Sequence, residues 1–283
     1  VGLALDAVRN VADGLDATVL VLTLDDRLGA SHGQDPRLLD ALERAAERAH
    51  VRQDLDAAAE LYRRLLAHAP DRPAWLAAYE LEQRQNGVAA ADEWLADLRR
   101  RATSVVVRAA AEGLAADRKG QFAAAIAGYE KSLAAEPNQP RLRQLLFNDY
   151  LQAGRLAEAR GVAEWMEEQI DAGNDALRSY AAEMWTTLGE PERAIDGWQM
   201  LHLAAPDVSY YATAAAAALY GDCRPAEAIA TLEEQIAQAP SAAAYELLAE
   251  IHLAQGDLQK APDVARAGLA RAPSPGLPRS YAE

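Results

Sequence analysis

Chemistry would have to come from the titratable and nucleophilic side chains, and these are sparse and dispersed. Five histidines, His32, His50, His68, His202 and His252, are scattered along the chain, and no two share a helix at i, i+4 spacing. A metal site needs three or four ligands converging on one ion, and this spacing brings no such set together. Cys223 is the one cysteine. It cannot form an intramolecular disulfide, and only Arg224 beside it would favour a thiolate; it is read as a structural turn residue. Asp25 and Asp26 resemble an acid pair, but adjacent residues on a helix do not face each other, so they are read as a solvated helix end. Glu167, Glu168, Glu233 and Glu234 are read as exposed helix faces. The sequence contains no glycine-rich phosphate loop, no dinucleotide fingerprint, no HExxH, no GxSxG and no paired CxxC. The expectation is therefore no catalytic residue, no metal, no cofactor and no enzymatic activity.

With chemistry set aside, composition describes what the residues build. Of the 283 residues 51% are apolar, mostly alanine and leucine, with 2 Phe and 6% aromatics. Small side chains at that density suit helices packed closely on helices, and the scarcity of β-branched segments argues against a sheet. The formal net charge of −15 counts against nucleic acid, which needs a basic stripe, and against docking on an anionic membrane. An acidic surface keeps a long exposed helical array from self-associating; attraction of a basic partner is the functional alternative. No apolar stretch approaches the ~20 residues that span a bilayer, and the run Thr18 to Leu24 ends at Asp25 and Asp26. No membrane insertion is expected. The chain opens with Val1 rather than an initiator methionine, as expected of a trimmed chain or mature form, and a bacterial cytoplasm or periplasm fits equally.

The elements declare themselves through punctuation. Pro36, Pro70, Pro137, Pro206, Pro240 and Pro273 are each expected to close a helical stretch, with gaps of 34, 67, 69, 34 and 33 residues. The period is 34, with prolines missing near Thr103 and Asp171. Ala58, Ala125, Ala194, Ala228 and Ala261 recur twelve residues before the closing prolines, and Ala159 keeps the phase. Gly120, Gly154, Gly189 and Gly256 precede their alanines by five residues, with Gln53 and Cys223 in that place elsewhere. The glycine ends a first helix at positive φ. The alanine marks a helix crossing where only a small side chain fits. Four residues on, Tyr62, Tyr129 and Trp198 are expected to fill the groove toward the next repeat. Pro191 and Pro225 open second helices, whereas Pro262 lies unusually far into its own.

These residues resemble the tetratricopeptide repeat family. The clearest match is Asp175 to Pro206, with LGEPERAIDGW at its centre, followed by Ser209 to Pro240. Val106 to Pro137 carries Gly113, Gly120, Ala125 and Tyr129 in phase, while Arg72 to Arg101 is degenerate and keeps only the stripe Trp75, Tyr79 and Trp94. The expected fold is all-α: a right-handed α-α superhelix, or solenoid, of about seven helix pairs. Residues 1–36 are expected to form an atypical N-terminal cap, 37–273 the repeat array and 274–283 a tail or linker.

The resemblance implies that the first helices line a concave groove that holds a protein or peptide. Carrying the phase over nominates Arg141, Gln144, Asn148 and Gln152, then Ser179, Glu183 and Thr186, then Tyr210, Thr213 and Tyr220, then Glu246 and Glu250. The groove is expected to be weakly basic near Arg141, aromatic near the tyrosines and acidic beyond. The family's carboxylate clamp is incomplete, with Gln144 and Tyr180 where lysine and asparagine would be needed beside Asn148. The expected function is a non-catalytic interaction scaffold, with a place in a bacterial envelope export or secretion assembly. The alternative is the substrate-recognition arm of a larger transferase-like enzyme.

Overall fold

The computed structural model describes residues 36–52, 54–170 and 174–271. The expected N-terminal cap, all but its last residue, and the C-terminal tail lie outside them. Among the described residues there are fourteen helices and no strand. In chain order they are α1 (Pro36–Val51), α2 (Leu55–His68), α3 (Trp75–Asn86), α4 (Val88–Arg101), α5 (Val105–Asp117), α6 (Phe122–Ala135) and α7 (Pro140–Gln152), then α8 (Leu156–Glu168), α9 (Asp175–Leu188), α10 (Pro191–Ala204), α11 (Ser209–Gly221), α12 (Pro225–Gln238), α13 (Ala242–Ala254) and α14 (Lys260–Arg271). They fall into seven successive pairs, as the period requires. The chain divides into two compact units, Val1–Leu142 and Arg143–Glu283, with the division inside α7.

Each marker does the work its chemistry allows. Gly120, Gly154, Gly189 and Gly256 have φ between 68° and 79°, and Cys223 adopts φ 59°, the one non-glycine residue at positive φ among those described. At each of these turns the next amide reaches back five residues: Gln121 N–H to the Ala116 carbonyl (3.0 Å), Arg155 to Tyr150 (2.8 Å), Glu190 to Trp185 (3.0 Å), Arg224 to Leu219 (2.9 Å) and Asp257 to His252 (2.9 Å). This bond satisfies a carbonyl that the helix end would otherwise leave open. Asp54 makes the same bond to Ala49 at 2.9 Å. The second helices then start on Pro191 and Pro225 at N1 or on the Asp54 side chain, which accepts from Ala57 N–H at 3.2 Å.

The phased alanines, Ala58, Ala125, Ala159, Ala194, Ala228 and Ala261, are all fully buried. Ala91 belongs with them. It is equally buried and sits in α4 of the repeat that looked degenerate. The closest crossing is α5 on α6. A Cβ placed on Gly128 would stand 2.7 Å from Gly113 Cα, and one on Gly113 would stand 2.7 Å from the Tyr129 ring. Only glycine at both positions lets these backbones meet.

Pro70, Pro137, Pro206 and Pro240 stand just beyond α2, α6, α10 and α12. Pro36 is itself the first residue of α1, where a missing N–H costs nothing. Where a closing proline was expected near Thr103, α4 does end, and Asp71 does part of the work: its carboxylate accepts from Thr103 N–H (2.9 Å), Thr103 Oγ1 (2.5 Å) and Ser104 N–H (2.8 Å). Pro262 does lie far into its helix: Asp257 caps it, its Oδ1 accepting from Lys260 N–H at 3.2 Å and its carbonyl from Ala261 N–H at 3.3 Å, and Pro262, which has no N–H, follows one residue further in, so α14 runs regularly only from Lys260. The groove-filling role of the aromatic position is also uneven. Trp198 reaches the next repeat, whereas Tyr129 lies over Gly113 inside its own pair.

Candidate partner-binding surface

In the second unit the first helices α9, α11 and α13 are neighbours: the Tyr210 hydroxyl on α11 donates to Glu183 Oε1 on α9 at 3.1 Å, and α11 packs on α13. Tyr210 is 53% exposed, yet it is not a loose surface ring. It meets the buried Trp198 edge-on, with centroids 5.5 Å apart and planes at 86°, and lies 6.0 Å from Tyr211, which stacks on Trp198 at 6.3 Å. Edge-to-face packing adds to the hydrogen bond, so the ring is fixed by contacts from two elements. Burial on its inner side, followed by the Glu183 carboxylate, pushes the Tyr210 hydroxyl above its ordinary value and keeps it a donor.

The nominated residues fare differently. Glu183 and Tyr210 are brought together across two repeats. Thr213 is half-buried and spends its hydroxyl proton on the Ser209 carbonyl at 2.8 Å. Tyr220 is half-buried on the same helix, Glu246 is half-buried and Glu250 exposed one turn apart on α13. Gln144 is half-buried, and Asn148 and Gln152 are exposed on α7. Ser179 is half-buried, while Thr186 donates to the Ala182 carbonyl at 2.8 Å and accepts from Trp198 Nε1 at 3.2 Å. Arg141 falls in the first unit and corrects the weakly basic expectation: its guanidinium is paired with Glu80, so it presents little net charge.

The first unit holds a feature that was not anticipated. A cavity of about 330 Å³ opens between the starts of α3, α5 and α7, lined by Trp75, Leu76, Val106, Val107 and Leu142, with Asp71 and Glu136 at its polar margin. From α5 it is lined by Val106 and Val107. Repeats read one at a time gave no sign of it, because the cavity is a property of the first helices of three successive pairs.

Cys223 is exposed at its turn. His252 is buried, with Nδ1 3.8 Å from Asp257 Oδ2. Among the described residues no three His, Cys, Asp or Glu side chains are placed to hold a metal ion, and no helix is long and apolar enough to cross a membrane.

No family model matches the chain, and no curated protein matches it in sequence. Its structure, however, is similar to solved helical-repeat proteins. A tetratricopeptide repeat protein from Parabacteroides merdae superposes with a TM-score of 0.52 at 16% identity, covering 86% of this chain and 97% of that one. The fold is that of tetratricopeptide-repeat proteins. Yeast Tom70 gives a TM-score of 0.54 at 13% identity over 91% of this chain and 55% of its own. The C-terminal part of a TPR repeat-containing protein from Cytophaga hutchinsonii gives 0.50 at 15% identity over 85% and 99%. At these identities the tetratricopeptide likeness speaks for the fold alone. The α9–α11–α13 face must be argued from its own side chains.

Proposed function

We propose that this chain is a non-catalytic interaction scaffold that holds a protein or peptide partner along the exposed faces of α9, α11 and α13. One observation carries the reading. Tyr210 is a large ring more than half exposed, and it is held rigid by Trp198 and Glu183. A ring already held in place can bind with little further loss of its own freedom. Tyrosine is also among the residues that most often anchor interfaces. The repeat architecture supports the reading physically, since stacked helix pairs present one long surface assembled from equivalent positions. Within this reading, a role in a bacterial envelope export or secretion assembly is the more specific proposal.

The test is capture from lysate and envelope fractions of the source organism, with wild type beside a Tyr210→Ala/Tyr220→Ala double variant of unchanged circular dichroism. A partner held by wild type and released by the variant is the expected result, and the fraction that yields it places the compartment. A partner held equally by both would move the site away from this face.

A further inference from the structure

The α9–α11–α13 face has an uneven supply of hydrogen-bonding groups, and the imbalance specifies what binds it. Tyr210, Thr213, Thr186 and Thr187 each have one hydroxyl proton, and each spends it inside the chain: on Glu183 Oε1, on the Ser209 carbonyl, on the Ala182 carbonyl and on the Glu183 carbonyl. What remains toward solvent is mainly acceptor capacity. Glu183 keeps Oε2 without a hydrogen bond, and Glu246 and Glu250 have no ion-pair partner among the described residues. Lysine and arginine are absent from these positions. Between residues 174 and 271 fourteen acidic side chains outnumber six basic ones. Of those six, Arg193, Arg224, Lys260 and Arg266 are paired with Glu167, Glu227, Asp257 and Asp263 respectively. Arg178, on α9 itself, is turned to a different cavity, where it meets Met200 Sδ at 3.1 Å.

A face on which acidic acceptors outweigh free donors favours a partner that donates. Resting on the reading of this face as the partner surface, we propose that the partner is an arginine-bearing segment whose guanidinium lies against the Tyr210 ring and donates to Glu183. Arginine suits the site better than lysine for two reasons. Its planar guanidinium stacks on an aromatic ring, and it offers several donors in a fixed fork, whereas an ammonium is a more strongly hydrated point charge. Glu246 and Glu250, one helical turn apart on α13, extend the acidic track for a second basic side chain. The like charges of that pair repel each other in the free protein, so a cation between them relieves a cost that is already present.

The experiment is a selection of random 12-residue displayed peptides on the full chain. Selected peptides are resynthesised with a fluorophore and titrated by anisotropy. The expected outcome is enrichment of arginine-bearing sequences that lose about tenfold in affinity on Glu183→Gln. They should weaken similarly when arginine is replaced by neutral citrulline, and be little changed by Glu233→Gln on the second helix α12. The glutamine amide oxygen can still accept the Tyr210 hydroxyl, so Glu183→Gln removes the charge and leaves the ring in place. Equal losses with Glu183→Gln and Glu233→Gln would reduce the effect to overall charge and overturn the inference. Peptides free of basic residues that nevertheless depend on Tyr210 would overturn the arginine-bearing partner and leave the surface reading intact. No peptide sensitive to Tyr210→Ala would overturn both.

Discussion

Replacing one glycine by alanine should have opposite consequences at two helical positions. At Gly161, in the middle of α8, a Cβ would meet nothing within 4 Å. Alanine is favoured over glycine in a helix by about 1 kcal/mol, so Gly161→Ala should stabilise by up to that amount. At Gly128, in α6, the same Cβ would stand 2.7 Å from Gly113 Cα and N and 2.8 Å from the Ala109 carbonyl oxygen. Carbon atoms pack at about 3.5–4 Å, so α5 and α6 would have to separate by roughly 0.8 Å. The obstructing atoms are backbone and cannot rotate away. Overpacking of this kind costs about 1–3 kcal/mol. Taking the upper end and subtracting the propensity gain of about 1 kcal/mol leaves Gly128→Ala less stable than wild type by about 2 kcal/mol. The two variants should therefore differ by about 3 kcal/mol, by the same propensity and overpacking terms. Urea unfolding followed at 222 nm measures the difference, and hydrogen exchange of α5 and α6 peptides localises it, which matters in an array whose repeats need not unfold together. Gly128→Ala as stable as wild type would mean that the close crossing, and the helix phase built on it, is wrong.

Three further outcomes follow from individual sites. Cys223 holds φ 59°, a conformation that costs an L-residue about 1–2 kcal/mol, so Cys223→Gly should melt higher than Cys223→Val, whose β-branch fits that region worst. Asp71→Ala removes three hydrogen bonds to Thr103 and Ser104; with about 1 kcal/mol for each cap-like bond, less for exposure, it should lose about 1–2 kcal/mol and expose the start of α5 to hydrogen exchange. Burial, with nearby carboxylates, pushes the Tyr62 and Tyr79 hydroxyls up to about 12. Tyrosines in the unfolded chain ionise near 10, so over that interval the unfolded chain binds fewer protons and stability falls as pH rises. Thermal melts between pH 9 and 12 should therefore show a decline that becomes shallower in Tyr62→Phe and Tyr79→Phe.

Much of the fold was legible because the repeat writes its punctuation in residues that have few alternatives. A turn at positive φ wants glycine, a helix crossing wants alanine and a helix end tolerates proline, so the phase survives where other identities drift. Even the repeat that looked degenerate kept the signal in Ala91, which lies 33 residues after Ala58 and 34 before Ala125. The phase was obscured because Gly87 stands four residues before Ala91 rather than five, with φ 88° and ψ 172°, a different turn.

The partner surface was legible only as a stripe. Phase placed Glu183 and Tyr210 on first helices, but their hydrogen bond joins residues 27 positions apart and needs the packing of two repeats. Phase likewise put Arg141 beside Gln144 and Asn148. Its pairing with Glu80 joins residues 61 positions apart. Contacts of that range leave no local pattern.

The claim that the α9–α11–α13 face holds the partner is tested most directly by site-specific photo-crosslinking in the source organism. The photoreactive residue p-benzoylphenylalanine is placed at Tyr210 in one strain and at Glu233 on α12 in another. One discrete protein adduct is expected from position 210 and none from position 233. An adduct that forms from 233 and not from 210 would contradict it.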